Sequence, residues 1–121
     1  MISTERWEEI EEIKRHYSER RCTDVQQLLS TMANPIRFRL LCALRGRSFT
    51  VSELVEITDS NLPNVSQHLK MMWMAGYINK VRTGKQVRYN LSDRRIVDVI
   101  EMVEAMYPAD AYKNSEGCEE G

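Results

Sequence analysis

Residues 61–91 read NLPNVSQHLKMMWMAGYINKVRTGKQVRYNL. Leu62 to about Ala75 carries helical periodicity, with Pro63 tolerated in its first turn and Gly76 stopping it. Tyr77 to Arg82 and Gln86 to Leu91 alternate as two strands, and Thr83-Gly84-Lys85 supplies a hairpin turn between them. The stretch holds Lys70, Lys80, Arg82, Lys85 and Arg88 and contains no Asp or Glu. A helix with small polar side chains at its start, followed by a basic hairpin, is what reading a DNA groove and gripping phosphates requires.

Charge elsewhere runs the other way. The formal net charge of the 121 residues is −1, and acidic residues gather at Glu5 to Glu12 and at Glu116, Glu119 and Glu120. A local basic face, rather than the sum, is what matters for nucleic acid. With 42% hydrophobic and 29% charged residues the composition is that of a soluble protein of one domain. No apolar run approaches a membrane span, and the charged start MISTERWEEIEEIKRHY has no signal-peptide core, so a cytoplasmic location is expected. Three widely spaced cysteines do not make a disulfide framework and point to a reducing compartment.

Upstream, Trp7, Ile10, Ile13 and Tyr17 form a narrow apolar stripe on a helix over residues 4–20, suited to packing on a partner subunit. Thr23 and Asp24 offer an N-cap for a second helix from Val25 to about Met32. Asn34-Pro35 starts a third, Ile36 to Leu44, the most apolar helix and the expected centre of the fold. Ser48-Phe49-Thr50 suits a short edge strand, and Thr50 or Ser52 caps the helix VSELVEIT. Leu69, Met72 and Trp73 fall on the expected core face of the next helix, and Met71 and Met74 are also read as core filler. Ser92 or Asp93 caps a last helix with Ile96, Val97, Ile100, Val103 and Met106 on its apolar side, and Pro108 ends it. Residues 1–108 thus form the expected domain and 109–121 a flexible polar tail. The fold class is mainly α with a small β-hairpin, a winged helix-turn-helix in the order α-α-α-α-α-β-β-α, with the fifth helix reading DNA.

The segments ANPIRFRLLCAL, TVSELVEITDSNLPNVSQHLKMMWMAGYI and VRTGKQVRYNLS closely resemble the ArsR/SmtB family of bacterial repressors, over roughly Val25 to Met106. The resemblance implies a homodimer joined through its first and last helices. It also implies repression at a palindromic double-stranded operator, relieved by a metal ion or a thiol-reactive inducer.

Residue chemistry assigns the DNA contacts. Asn61, Asn64, Ser66, Gln67 and Lys70 lie on the early turns of the recognition helix, where Asn and Gln pair with adenine and Ser serves several bases. His68 sits a little round the helix and is expected at a phosphate, while Arg82, Lys85, Gln86 and Arg88 belong to the wing. For the inducer, the family's metal positions read Thr50 and Ser52 in one site and Asp93, Arg95, Met106 and Ala109 in the other, so no resident metal is expected. Cys42 matches a cysteine of the family's sulfide-responsive branch, whose second cysteine falls here at about Pro108. Cys118, ten residues on, and Cys22 are the candidate partners. A thiolate at Cys42 would be favoured by Arg37, Arg39 or Arg45. The plain alternative for Cys42 is a small core residue. The expected inducer is a reactive sulfur species or oxidant. Two competing readings are a metal-responsive repressor with an unusual cysteine site and a winged-helix adaptor that binds protein. No nucleophile–base pattern or phosphate-binding glycine loop supports an enzyme.

Overall fold

A computed structural model describes residues 1–17 and 19–115. Helix α1 spans Thr4–His16, with the Ser3 hydroxyl accepting from the Arg6 amide at 3.2 Å. Glu5 in its first turn and Lys14, Arg15 and His16 in its last complement the helix dipole. None of its residues is buried.

Helix α2 spans Glu19–Ala33 and begins earlier than the expected Val25. Thr23 does not cap it. Its hydroxyl donates instead to the Glu19 carbonyl one turn back, at 2.9 Å, so the side chain finds its acceptor inside the helix. Helix α3 spans Pro35–Ala43 and is capped by Asn34, whose Oδ1 accepts from the amides of Ile36 and Arg37 at 2.9 and 3.0 Å. Pro35 suits the first turn because it has no amide hydrogen to leave unpaired. The Arg37 guanidinium reaches back to the carbonyls of Thr31 and Ser30, both at 3.0 Å, and so covers the otherwise open end of α2.

Strand β1, Ser48–Thr50, leads into helix α4, Val51–Thr58. Thr50 and Glu53 form a reciprocal capping box at that junction. Helix α5 spans Leu62–Met74, strand β2 Ile78–Thr83, strand β3 Gln86–Leu91 and helix α6 Arg94–Met106. Asp93 caps α6. The antiparallel sheet has the order β1-β3-β2, with Phe49 opposite Tyr89 and Lys80 opposite the same Tyr89. Residues 109–115, where the polar tail was expected to start, wind into a 3-10 helix.

The core lies where the helices cross the base of the sheet. Leu40, Leu41 and Leu44 meet Leu54, then Val65, Leu69 and Met72 of α5, Ile78 of β2, and Ile96 and Ile100 of α6. Each such side chain contributes about 1.5–3 kcal/mol when fully buried. The outward faces of α1 and α6 keep large apolar groups at the surface: Trp7, Ile13 and Tyr17 on or beside one, Met102, Val103, Met106 and Tyr107 on or beside the other.

Candidate nucleic-acid interface and cysteine site

The turn between α4 and α5 is set by local chemistry. Thr58 is buried and donates to the Leu54 carbonyl at 2.8 Å, and Asp59 follows in the left-handed conformation at φ 54°. Asp tolerates that conformation better than most residues. Asn61 then caps α5, accepting from the Asn64 amide at 2.8 Å, while Asn64 Nδ2 donates to Ser60 Oγ at 2.8 Å. Asn61 and Asn64, assigned from sequence to base reading, therefore both hold the turn.

Val65, Leu69 and Met72 face the core at spacings of four and three, which turns the other side of α5 outward. Ser66, Gln67 and Lys70 are exposed there, with no side-chain partner among the described residues. His68 is half-buried, and burial together with the Arg37 cation lowers its pKa. Both effects favour the neutral imidazole over the imidazolium.

Three residues expected in the core are at the surface. Trp73 is 43% exposed, Met71 42% and Met74 70%. Only Met72 of that run points inward, because its neighbours are rotated by about 100° each on the helix. Trp73 is capped instead by the wing: Lys80 Nζ lies 4.2 Å from its ring centroid. Sequence reading missed this pairing, since it joins the end of one element to the start of another.

Gly84 adopts φ 63° at the hairpin tip, where Arg82, Lys85 and Gln86 are exposed and have no side-chain partner among the described residues. Arg88 sits lower. It is half-buried, donates to the Ser48 carbonyl at 3.4 Å and lies 3.8 Å from Glu53 Oε1, so it ties β3 to β1 and α4.

Cys42 lies on α3, half-buried, at a cleft of about 420 Å³ that it lines with Arg45, Arg47, Phe49 and Ile57. Arg45 makes a two-pronged contact with Glu104 of α6 at 3.0 and 3.5 Å. Burial pushes the Cys42 thiol up, the Glu104 carboxylate adds to this, and Arg45 only partly opposes them. Of the cations expected to favour a thiolate, Arg45 alone acts on Cys42; Arg37 is turned to the end of α2. The alkylation rate of Cys42 is therefore expected to rise with pH through a midpoint above the ordinary cysteine value. Glu104→Gln should lower that midpoint; an unchanged iodoacetamide pH–rate profile would remove Glu104 as a cause.

Cys22 sits within α2 rather than before it, half-buried, with Gln26 Nε2 donating to its sulfur at 3.3 Å. Cys22 and Cys42 are both free thiols, and Cys118 lies outside the described residues. At the head of α6, Arg95 closes on the Asp93 carboxylate at 2.6 and 2.9 Å, which holds that carboxyl below its usual range. Among the described residues no three His, Cys, Asp or Glu side chains converge on a common point.

A helix-turn-helix carrying an antiparallel wing, with a free polar face on its second helix, defines a winged-helix regulator. The model for the arsR family of bacterial regulatory proteins matches residues 34–80. The biofilm growth-associated repressor of Agrobacterium fabrum is 36% identical over 101 residues, covering 84% of this chain and 86% of that protein. The solved structure of the transcriptional repressor BigR from Xylella fastidiosa superposes with a TM-score of 0.70 at 28% identity, over 79% of this chain and 98% of that one. Reduced HlyU from Vibrio cholerae gives a TM-score of 0.68 at 29% identity, over 74% and 94%. The chain belongs to the ArsR family of bacterial regulatory proteins. It is a transcriptional regulator, like these relatives, and not an enzyme. No helix among the described residues is long and apolar enough to cross a membrane.

Proposed function

We propose that this chain is a cytoplasmic, homodimeric repressor that binds operator DNA through α5 and the wing and releases it when a reactive sulfur species or oxidant modifies its cysteines. The observation that carries the DNA reading is the exposure, without side-chain partners among the described residues, of Ser66, Gln67 and Lys70 on α5 and of Arg82, Lys85 and Gln86 on the wing. Ser and Gln suit base edges, and the cations suit phosphates. Repression is supported by relatives that are named repressors. A dimer is supported by the apolar groups left outside on α1 and α6.

The inducer reading rests on Cys42, half-buried beside Arg45 and Arg47 in an open cleft. In the reaction, the thiol loses its proton and the thiolate attacks a sulfane sulfur of a polysulfide. One S–S bond forms, one breaks, and the shortened polysulfide leaves as an anion. A second thiol, Cys22 or Cys118, then attacks the Cys42 persulfide and expels hydrosulfide, which leaves a disulfide.

The test is fluorescence anisotropy of the reduced protein on duplex DNA from its own upstream region, before and after polysulfide and then reductant. Steeply salt-dependent binding, lost with polysulfide and restored by reductant, is expected. Cys42→Ser should bind as well and ignore polysulfide. If that variant still releases, the thiol reading is wrong; if the unaltered protein shows no salt-sensitive binding, the repressor reading is.

A further inference from the structure

We infer that Trp73 is a positioning residue for DNA binding: its indole holds Lys80 of the wing against α5, so that Lys70 and Lys80 meet the DNA backbone as one fixed pair. The inference rests on the reading of α5 and the wing as the DNA-binding surface.

Ser66, Lys70 and Trp73 follow one another at spacings of four and three, so Trp73 continues the outward stripe of α5. A large aromatic left 43% exposed on that stripe is not there to fill the core. Its ring face is occupied, since the Lys80 ammonium sits 4.2 Å from the centroid. An ammonium at that distance is drawn to the negative face of an indole.

The sheet topology explains why the wing needs such a tie. β2 is an edge strand, and Ile78 at its base is its one buried residue among the described ones. β1 backs only residues 88–90 of β3, so towards its tip the wing is a two-stranded ribbon, and a ribbon with so little packing does not hold its own angle. On the β1 side, Arg88 clamps β3 to Ser48 and Glu53. On the β2 side, Ile78 packs into the core with Leu69 and Met72 of α5, and beyond that base residue the Lys80–Trp73 contact is the one side-chain tie to α5 in view among the described residues. The lysine is also ordered before DNA arrives, which reduces the freedom lost on binding.

The test compares Trp73→Ala, Trp73→Phe, Lys80→Met and the Trp73→Ala/Lys80→Met double variant on mixed-sequence duplex DNA, as a function of salt. Trp73→Ala should weaken binding about two- to fivefold and lower the log–log salt slope by about one. Trp73→Phe should retain most of both, because it keeps a ring face. Lys80→Met should lose the same slope, and adding Trp73→Ala to it should cost nothing more. NMR should show the Lys80 side-chain protons shifted upfield by the ring in the unaltered protein. An unchanged slope in Trp73→Ala, additive losses in the double variant, or unshifted Lys80 protons would each overturn the assignment. Should Trp73→Ala fail to fold, the proton shifts and the Lys80→Met slope decide alone. Unaltered protein that binds no duplex overturns the DNA-binding reading and this assignment together; binding that is indifferent to Trp73 overturns only the assignment.

Discussion

Glutamate at both Val103 and Met106 is expected to split the protein into monomers and to weaken operator binding by about a hundred- to ten-thousandfold. Both residues continue the apolar side of α6 past the buried Ile96 and Ile100, which hold the helix to the core, and they are left 38% and 67% exposed. The substitutions therefore leave the core of the subunit intact and place charge where the proposed partner packs. Two half-sites joined in one dimer gain from effective concentration, and a monomer forfeits it. Sedimentation should show the mass halve while the circular dichroism of the helices is largely kept. A variant that remains dimeric would remove α6 from the interface. A monomer that binds the operator as tightly as the dimer would remove the paired half-sites.

Leu69→Ala should cost about 2–5 kcal/mol of stability. Leu69 is 1% exposed and lies on the inner face of α5, between Val65 and Met72. Truncation opens a cavity directly beneath the outward residues Ser66 and Lys70. A loss in the middle of that range lowers the melting temperature by roughly 14 °C in a domain of this size. Ser66→Ala is the control on the same helix: it should leave the stability within about 0.5 kcal/mol of the original and weaken DNA binding. If Leu69→Ala melts unchanged, the packing of α5 on the core is not as described.

The framework of helices, turn and wing was readable because its signals are local. Asn34-Pro35, the Thr50–Glu53 pair and Asn61-Leu62-Pro63 each fix a boundary through a neighbour two or three residues away, and Gly84 fixes one through its own positive φ. What escaped depended on contacts across the fold. Periodicity alone put Trp73 with Leu69 and Met72, because residue 73 lies one turn from Leu69, and only the approach of Lys80 shows what its ring meets. Arg88 read as a wing cation like Lys85, yet its strand position opposite Thr50 turns it to Ser48 and Glu53. The cations near Cys42 in sequence were expected to promote a thiolate. Burial of the thiol, and after it the carboxylate of Glu104, 59 positions beyond Arg45 in the chain, outweigh that cation. The start of α2 was misplaced because Thr23 has the chemistry of a cap as well as of an interior residue bonded to the preceding turn.

Helix α1 has 13 residues and buries none of them. A helix of that length without a packed face is marginal in water. Its order must come from whatever covers Trp7 and Ile13, and in the proposed dimer that cover is another copy of the chain. Folding of this segment then becomes a function of how many copies the cell holds. At low abundance the segment unravels and the free energy of assembly must also meet the entropy of rewinding it. A regulator built this way responds to its own copy number with a threshold, and dilution alone should loosen its amino-terminal helix before any inducer appears.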